Sequence, residues 1–521
     1  MAAGCFAGAA RGWASPLAAQ LAPRQTPART LDPSPLAPYV DALPRLTSAL
    51  RTAGNTYRLT MREFAWRVHR DLPPTRGWGY DGQFPGPLIE ARCGEAFSVE
   101  WVNRLPSRHF LPIDHTIHGA ERGVPEVRAV VHLHGARVPP DSDGYPTAWY
   151  LPGDSRTCHY PNRQEAALLF YHDHAMGINR LNVYAGLAGL CSLRDPAAEF
   201  GLPEGEFEVP IALCDRWLTP AAQLYYPMSD DPARPWVPEL FGNLVLLNGK
   251  LWPEFAAAPR AYRFRFANIA NSRFFHLSLS NRHPLRVIGA DQGLLAHPAE
   301  VDALLLAPAE RYDVLLDFSG AAGEDLYLLN DGAPVMRIRV ANTRPAAALP
   351  SLPSVSPRAP IPPPGTPTRI LTLDEMDDLA GRPMTMLLNG KSWNETVTET
   401  PTLGSTEIWA LVNLTDDSHP IHLHQVRFRI LDRQPIDADQ YLRTQTLHFT
   451  GPALPPGPEE SGWKDTVRTD AGALTRILVT FVPYAGEYLW HCHLLEHEAN
   501  EMMRPLRILP AAETIGDTEP L

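Results

Sequence analysis

Four His-x-His pairs punctuate the chain: His132/His134 in HLHG, His172/His174 in YHDH, His422/His424 in HPIHLH and His491/His493 in WHCH. Imidazole is a good ligand for late transition metals, and eight of them in four pairs suit a cluster of three copper ions. In WHCH a cysteine stands between the histidines, and Cys492 is followed by His497 and Met502 in a C-x4-H-x4-M spacing. With one more, distant imidazole this becomes two nitrogens, a thiolate and a weak axial thioether, the ligand set of a blue copper ion. His419, three residues before His422, is the candidate for that imidazole, and Met503 competes with Met502 for the axial place. Structural zinc prefers closed sets richer in thiolate, so it suits a histidine-rich site with one cysteine poorly.

These side chains need strands to aim them. Along a strand successive side chains point to opposite faces, so both histidines of each pair face one way. In WHCH the same rule sends Cys492 to the face opposite His491 and His493. A copper held by Cys492 is then joined through a few covalent bonds to two ligands of the other cluster.

Period-two patterns are common. Tyr262, Phe264 and Phe266 alternate with Arg263, Arg265 and Ala267; Tyr312, Val314, Leu316 and Phe318 alternate with Asp313, Leu315 and Asp317. Such runs, cut short by Gly, Pro and Asn, predict half-buried strands of sandwiches. The 54 prolines also favour short strands and fixed turns over long helices.

At 521 residues the chain exceeds what one core supports. LLNGKLWPE at 246–254 returns as LLNGKSWNE at 387–395, and YDGQFPGPLIE at 80–90 reads as a looser first copy. Three copies predict three similar sandwich domains. The expected limits are 40–198, 205–342 and 369–510, with a proline-rich linker at 343–368 and a tail at 511–521. All eight paired histidines fall in the first and third units, so the cluster should form where the two ends of the chain meet.

A hydrophobic content of 44% with 20% charged residues describes a soluble globular protein. The net charge of -12 argues against nucleic acid as a partner, and no apolar run is long enough to span a membrane. Six irregularly spaced cysteines do not form a disulfide framework, although one bridge among Cys93, Cys158, Cys191 and Cys214 stays open. Residues 1–39 form an N-terminal segment whose small, apolar start reads as the remnant of an export signal, although a basic start and a continuous apolar stretch are missing. A periplasmic or extracellular, monomeric protein is expected, with the cytoplasm as the alternative location. His69, His109 and His448 read as ordinary core or surface histidines, and Asp416 and Asp417 as a solvated turn.

The strings HLHGARVPPDSDGYP, YHDHAMGINRLNVYAGLAG, APAERYDVLLDF, HPIHLHQVRFRILDR and HCHLLEHEANEMMRP resemble the three-domain multicopper oxidases. The likeness runs from about residue 80 to 508 and is strongest to the bacterial spore-coat laccase, phenoxazinone synthase and bilirubin oxidase branch. It implies an all-β chain of three cupredoxin-like Greek-key sandwich or barrel domains holding four copper ions. His419, Cys492, His497 and axial Met502 would hold the type 1 ion, and His132 and His422 the type 2 ion. His134, His172 and His493 would hold one type 3 ion, and His174, His424 and His491 the other. Two acids, Glu498 and Asp143, match positions the family uses to deliver the protons that dioxygen reduction consumes.

The resemblance implies a laccase-like oxidase. A small aromatic reductant, a phenol or aromatic amine, would give single electrons near an exposed His497, and dioxygen would take four. Oxidation of Cu(I) or Mn(II) is the alternative, disfavoured by the lack of a methionine-rich insert; bilirubin or o-aminophenol oxidation is a variant. A scaffold that has lost its coppers is disfavoured because every ligand position is filled. A nitrite reductase is disfavoured because it would have no use for His172/His174.

Overall fold

The computed structural model describes residues 30–52, 54–346, 360–378 and 383–511. The proposed export remnant lies almost wholly outside these residues, as do the middle of the proline-rich linker and nearly all of the tail. Among the described residues six sheets fall in chain order into three pairs.

The first pair joins a sheet of Thr75–Tyr80, Thr56–Trp66, Phe97–Arg104 and Ser155–Tyr160 to one of Gly86–Arg92, Ala188–Arg194, Ala167–Asp173 and Val131–His134. The middle pair has an eight-stranded and a five-stranded sheet, built between Glu208–Leu218 and Ala333–Val340. In the third pair, a five-stranded sheet faces one of Thr466–Thr469, His419–Leu423, Gly486–Cys492 and Met503–Ile508. Alternation is plain in strands such as Asp325–Asn330, where every second residue is buried. Helices are short; the two that matter are Asn179–Ala185 and Leu495–Ala499.

The strand Ala261–Asn268 departs from the half-buried expectation: all eight of its residues are buried. Its polar face lies against the first segment instead of solvent. There Arg265 donates to Asp313 at 2.8 Å and to Ser192 at 2.7 Å, and Arg263 pairs with Asp313 and Glu199. Asp313, expected on an outer face, is the shared anion of that ladder. Buried charges persist when they are paired in this way.

The cores of the three pairs are joined. One apolar cluster runs through the first and middle pairs. A second surrounds Cys492 and Met502 in the third, and takes in Val130, Ala175 and Ile178 from the first and Trp236, Phe274 and Ala307 from the middle. Cys93, Cys158, Cys191 and Cys214 are all free thiols, so the disulfide that the sequence left open is not formed among them.

Candidate metal centre

Two pairs of adjacent strands create the site. In the first pair, Val131–His134 lies antiparallel to Ala167–Asp173 with His132 directly opposite His172. In the third, His419–Leu423 lies antiparallel to Gly486–Cys492 with His422 directly opposite His491. Each His-x-His pair therefore presents both rings on one face. His419 is an odd number of residues from His422, so the strand turns it to the other face, where Cys492 also points.

The eight paired histidines are all buried and meet between the two sheets. His134 and His422 stack with ring centres 3.6 Å apart, and His132 and His424 with centres 3.9 Å apart. Ligand atoms of His134, His172 and His493 gather in one group, and those of His174, His424 and His491 in another. His132, His134 and His422 form a third.

The outward nitrogens are fixed by protein acceptors. His132 Nδ1 donates to the Asp143 carbonyl at 2.6 Å, and His422 Nδ1 to the Asp465 carbonyl at 2.8 Å. His424 Nδ1 meets the Asp143 carboxylate at 2.8 Å, and His134 Nε2 meets that of Asp465 at 3.0 Å. The inward nitrogens have no such partners. His132 Nε2, His134 Nδ1, His172 Nε2, His422 Nε2 and both nitrogens of His493 are buried without a hydrogen bond. His491 Nε2 lies 3.1 Å from His424 Nε2 and 3.4 Å from His174 Nε2. An ion about 2.0–2.1 Å from each of three imidazole nitrogens in a tetrahedral arrangement separates them by roughly 3.3 Å. The donor set and its spacing fit bound metal.

The second site lies on the other face. Cys492 Sγ is 3.6 Å and His497 Nδ1 3.2 Å from His419 Nδ1. His419 Nε2 is tied to Thr415 Oγ1 at 2.7 Å, leaving Nδ1 to face inward. Burial raises the Cys492 thiol above its ordinary range. Burial works against charge on His497 too, but the Cys492 and Glu239 groups beside it outweigh that and lift it to about 10. A pocket that favours positive charge beside a buried thiol fits a cation.

The adjacent methionines part company. Met502 packs in the apolar cluster that contains Cys492, whereas Met503 packs with Met176 and Leu489 in another. Met502 is also bound to the site by its backbone, accepting from Cys492 N and donating to His497 O, both at 3.0 Å.

His497 is the correction. It was expected to be exposed, yet none of its side chain reaches solvent. The middle segment covers it: Glu239 Oε1 stands 3.6 Å from His497 Nε2. The same segment grips the helix Leu495–Ala499, because buried Glu496 accepts from Tyr226, Asn271 and Ser272 at 2.7–2.8 Å. Trp236 Nε1 also donates to the Glu496 carbonyl at 3.0 Å.

Both predicted acids are buried at the histidine cluster. Glu498 lies 3.2 Å from His491 Nδ1 and 3.5 Å from His174 Nε2, and Asn179 donates to it at 2.5 Å. Burial acts to raise the Glu498 carboxyl, but the charges of His491 and His174 hold it below its usual range. Asp143 also faces a ring, His424 Nδ1, but burial prevails there and pushes it well above the carboxylate range. Asp416 is exposed, as a solvated turn requires, and Asp417 is half-buried. His69 and His109 bond to Ala37 O and Asn182, and His448 is exposed.

Sequence reasoning missed Glu239, Asp465 and Glu496. Glu239 and Asp465 carry no telling spacing, and only the fold brings them to a ligand; Glu496 adjoins His497 in the sequence, but its partners in the middle segment are set by the fold.

The comparisons agree with this geometry. The multicopper oxidase family matches in three stretches, 66–198, 210–349 and 362–512. A laccase of Bacillus subtilis is 45% identical over 90% of this chain and 98% of its own, and a laccase of Bacillus stratosphericus 43% over 87% and 94%. Among solved structures, a multi-copper oxidase from Pediococcus acidilactici superposes with a TM-score of 0.73 at 27% identity, covering 92% of this chain and 94% of that one.

The chain belongs to the multicopper oxidases. It is a laccase-like copper oxidoreductase with dioxygen as acceptor, a member of an all-β family with cupredoxin-like domains that carries one type 1, one type 2 and a pair of type 3 coppers. No helix among the described residues is long and apolar enough to cross a membrane.

Proposed function

We propose that His419, Cys492, His497 and Met502 hold the type 1 copper, and that the paired histidines hold the other three. His132 and His422 take the type 2 ion; His134, His172 and His493 one type 3 ion; and His174, His424 and His491 its partner. The copper ions supply one-electron redox chemistry and the place where dioxygen is reduced. One observation carries the reading: Cys492 ends the strand that bears His491 and directly precedes His493, so one backbone run serves both centres.

The proposed donor is a phenol or aromatic amine, supported by the laccases among the relatives. The chain's residues divide the remaining work. Thr415 and Glu239 orient the two type 1 imidazoles from outside. Asp143, which burial favours protonated, and Glu498 pass protons to the cluster, Asn179 fixing Glu498 against the His174 and His491 rings.

A second reading, oxidation of Cu(I) or Mn(II), has one observation in its favour. Acids gather near His497: besides Glu239, there is Glu375, which burial and then the charges of Asp377, Asp417 and Glu239 push up to about 7. Such a group favours a cationic donor. Steady-state oxygen consumption with a phenol, an aromatic amine, bilirubin, Cu(I) and Mn(II) separates the readings. Faster turnover on the organic donors is expected, and turnover confined to the metal ions would overturn the first reading in favour of the second.

A further inference from the structure

The middle segment gives the histidine cluster no ligand, yet it reaches the cluster at one point. Arg311 clamps both oxygens of the Asp465 carboxylate, at 2.7 Å and 2.5 Å, and Gln292 Nε2 donates to Oδ2 at 2.6 Å. Asp291 accepts from the backbone of both Arg311 and Asp465, at 2.8 Å and 3.3 Å. Arg311, Gln292 and Asp291 lie in the middle segment, whereas Asp465 sits one residue before the strand Thr466–Thr469 of the third.

Asp465 touches two histidines with two different groups. Its carboxylate faces His134 Nε2 at 3.0 Å, and its carbonyl accepts from His422 Nδ1 at 2.8 Å. A neutral imidazole carries one N–H, and an acceptor placed on one nitrogen leaves the lone pair on the other. His134 is thereby left with Nδ1 and His422 with Nε2, the nitrogens that are buried without partners. The two rings must offer opposite nitrogens, and Asp465 faces both, with the Thr466 hydroxyl beside the same two nitrogens at 3.2 Å and 3.4 Å.

Asp143 repeats the device in mirror. Its carbonyl takes His132 of its own segment and its carboxylate takes His424 of the other end. The difference lies behind the carboxylate: Arg311 holds Asp465 as an anion, while no cation among the described residues pairs with Asp143. The glycine of HLHG makes room for the clamp. A Cβ on Gly135 would come within 2.7 Å of Arg311 Nη2 and 2.8 Å of Asp465 Oδ2.

We propose that Asp465, locked by Arg311 and Gln292, is a positioning residue of the trinuclear centre that sets the metal-facing nitrogens of His134 and His422. The proposal rests on the ligand assignment above. Polar groups that orient a ligand in this way are worth roughly 10–100-fold in metal affinity.

The test is chelator competition on copper-loaded Asp465→Asn, read as copper retained per chain, together with the electron paramagnetic resonance of the non-blue copper. Cluster copper should leave at a roughly 10–100-fold lower chelator concentration than in wild type. The non-blue signal should shift, while the blue band stays because Cys492 and His419 do not touch Asp465. Gln292→Leu removes one donor and leaves Arg311, so it should shift both readouts in the same direction by less; it carries the test if Asp465→Asn does not fold. Wild-type chelator resistance and an unchanged non-blue signal in the folded variant would overturn the proposal. His134→Ala is the control on the ligand assignment. If it keeps full copper, the assignment itself is wrong; if it loses copper while Asp465→Asn does not, only the positioning role fails.

Discussion

Asp143 and His424 stand 281 residues apart in the chain and 2.8 Å apart in the fold. A carboxylate of the first segment thus aims an imidazole of the third, and the histidine cluster cannot be apportioned to either end alone. The relation also makes the outer contacts of the rings as open to experiment as the rings themselves.

The copper-loaded protein should be intensely blue, and Cys492→Ser should remove the colour while copper remains in the histidine cluster. The thiolate is the source of the band, and the cluster nitrogens do not depend on it. Absorbance with copper analysis on both proteins decides the matter; a colourless wild type with full copper would sink the assignment.

Met502→Leu should leave the blue copper bound and raise its reduction potential, because a thioether lost from the axial place no longer stabilises the oxidised ion. Met503→Leu, in a separate apolar cluster, should change the potential several-fold less. Potentiometric titration of the blue band in the two variants gives the order directly. The reverse order would move the axial role to Met503.

Glu498→Leu should slow oxygen turnover by roughly 100- to 10,000-fold, the range typical of a lost acid–base group. Anaerobic bleaching of the blue band by a phenol needs no proton at the cluster, so it should stay within a few-fold of wild type. Glu498→Asp should fall between. Loss of copper in Glu498→Leu would instead assign Glu498 to holding His174 and His491 in place.

Acid should destabilise the copper-free chain. Burial pushes His172, His174 and His422 down to about 3, against roughly 6.5 for an exposed imidazole. Between these values the unfolded chain binds more protons, so stability from these groups is complete above about 6.5 and is lost as pH falls toward about 3. Thermal melting should therefore occur at lower temperature near pH ~5 than near pH ~7.5. Copper should be lost over the same range, since protons compete for the ligand nitrogens. A melting point that holds steady or rises on acidification would contradict this origin.

What the sequence disclosed follows from the reach of its rules. Strand alternation is local, so HLH, HDH and HCH announced which rings share a face, and the odd spacing of His419 from His422 fits its place on the other side. The repeated LLNGK strings announced related units. Burial of His497 was not legible, because its cover comes from Glu239, more than 250 residues away. The Arg263 and Arg265 face read as solvent-facing for a similar reason: its partners Glu208 and Asp313 stand on neighbouring strands about 50 residues away in sequence, and Ser192 belongs to the first segment. Nor did Asp465 show itself, since nothing around it repeats the spacing that made the histidines conspicuous.

The Arg311 clamp has a consequence for the order of events in the cell. His134 and Asp465 lie 331 residues apart, and contacts of such separation close late in folding. A nascent chain that has finished its first sandwich exposes two His-x-His pairs but has neither Asp465 to steady His134 nor the second half of the cluster. Copper met at that stage finds only His132, His134, His172 and His174 of the ligands. Only when the final strands dock on the middle unit does the full centre exist, so redox activity is withheld from incomplete chains by the architecture itself.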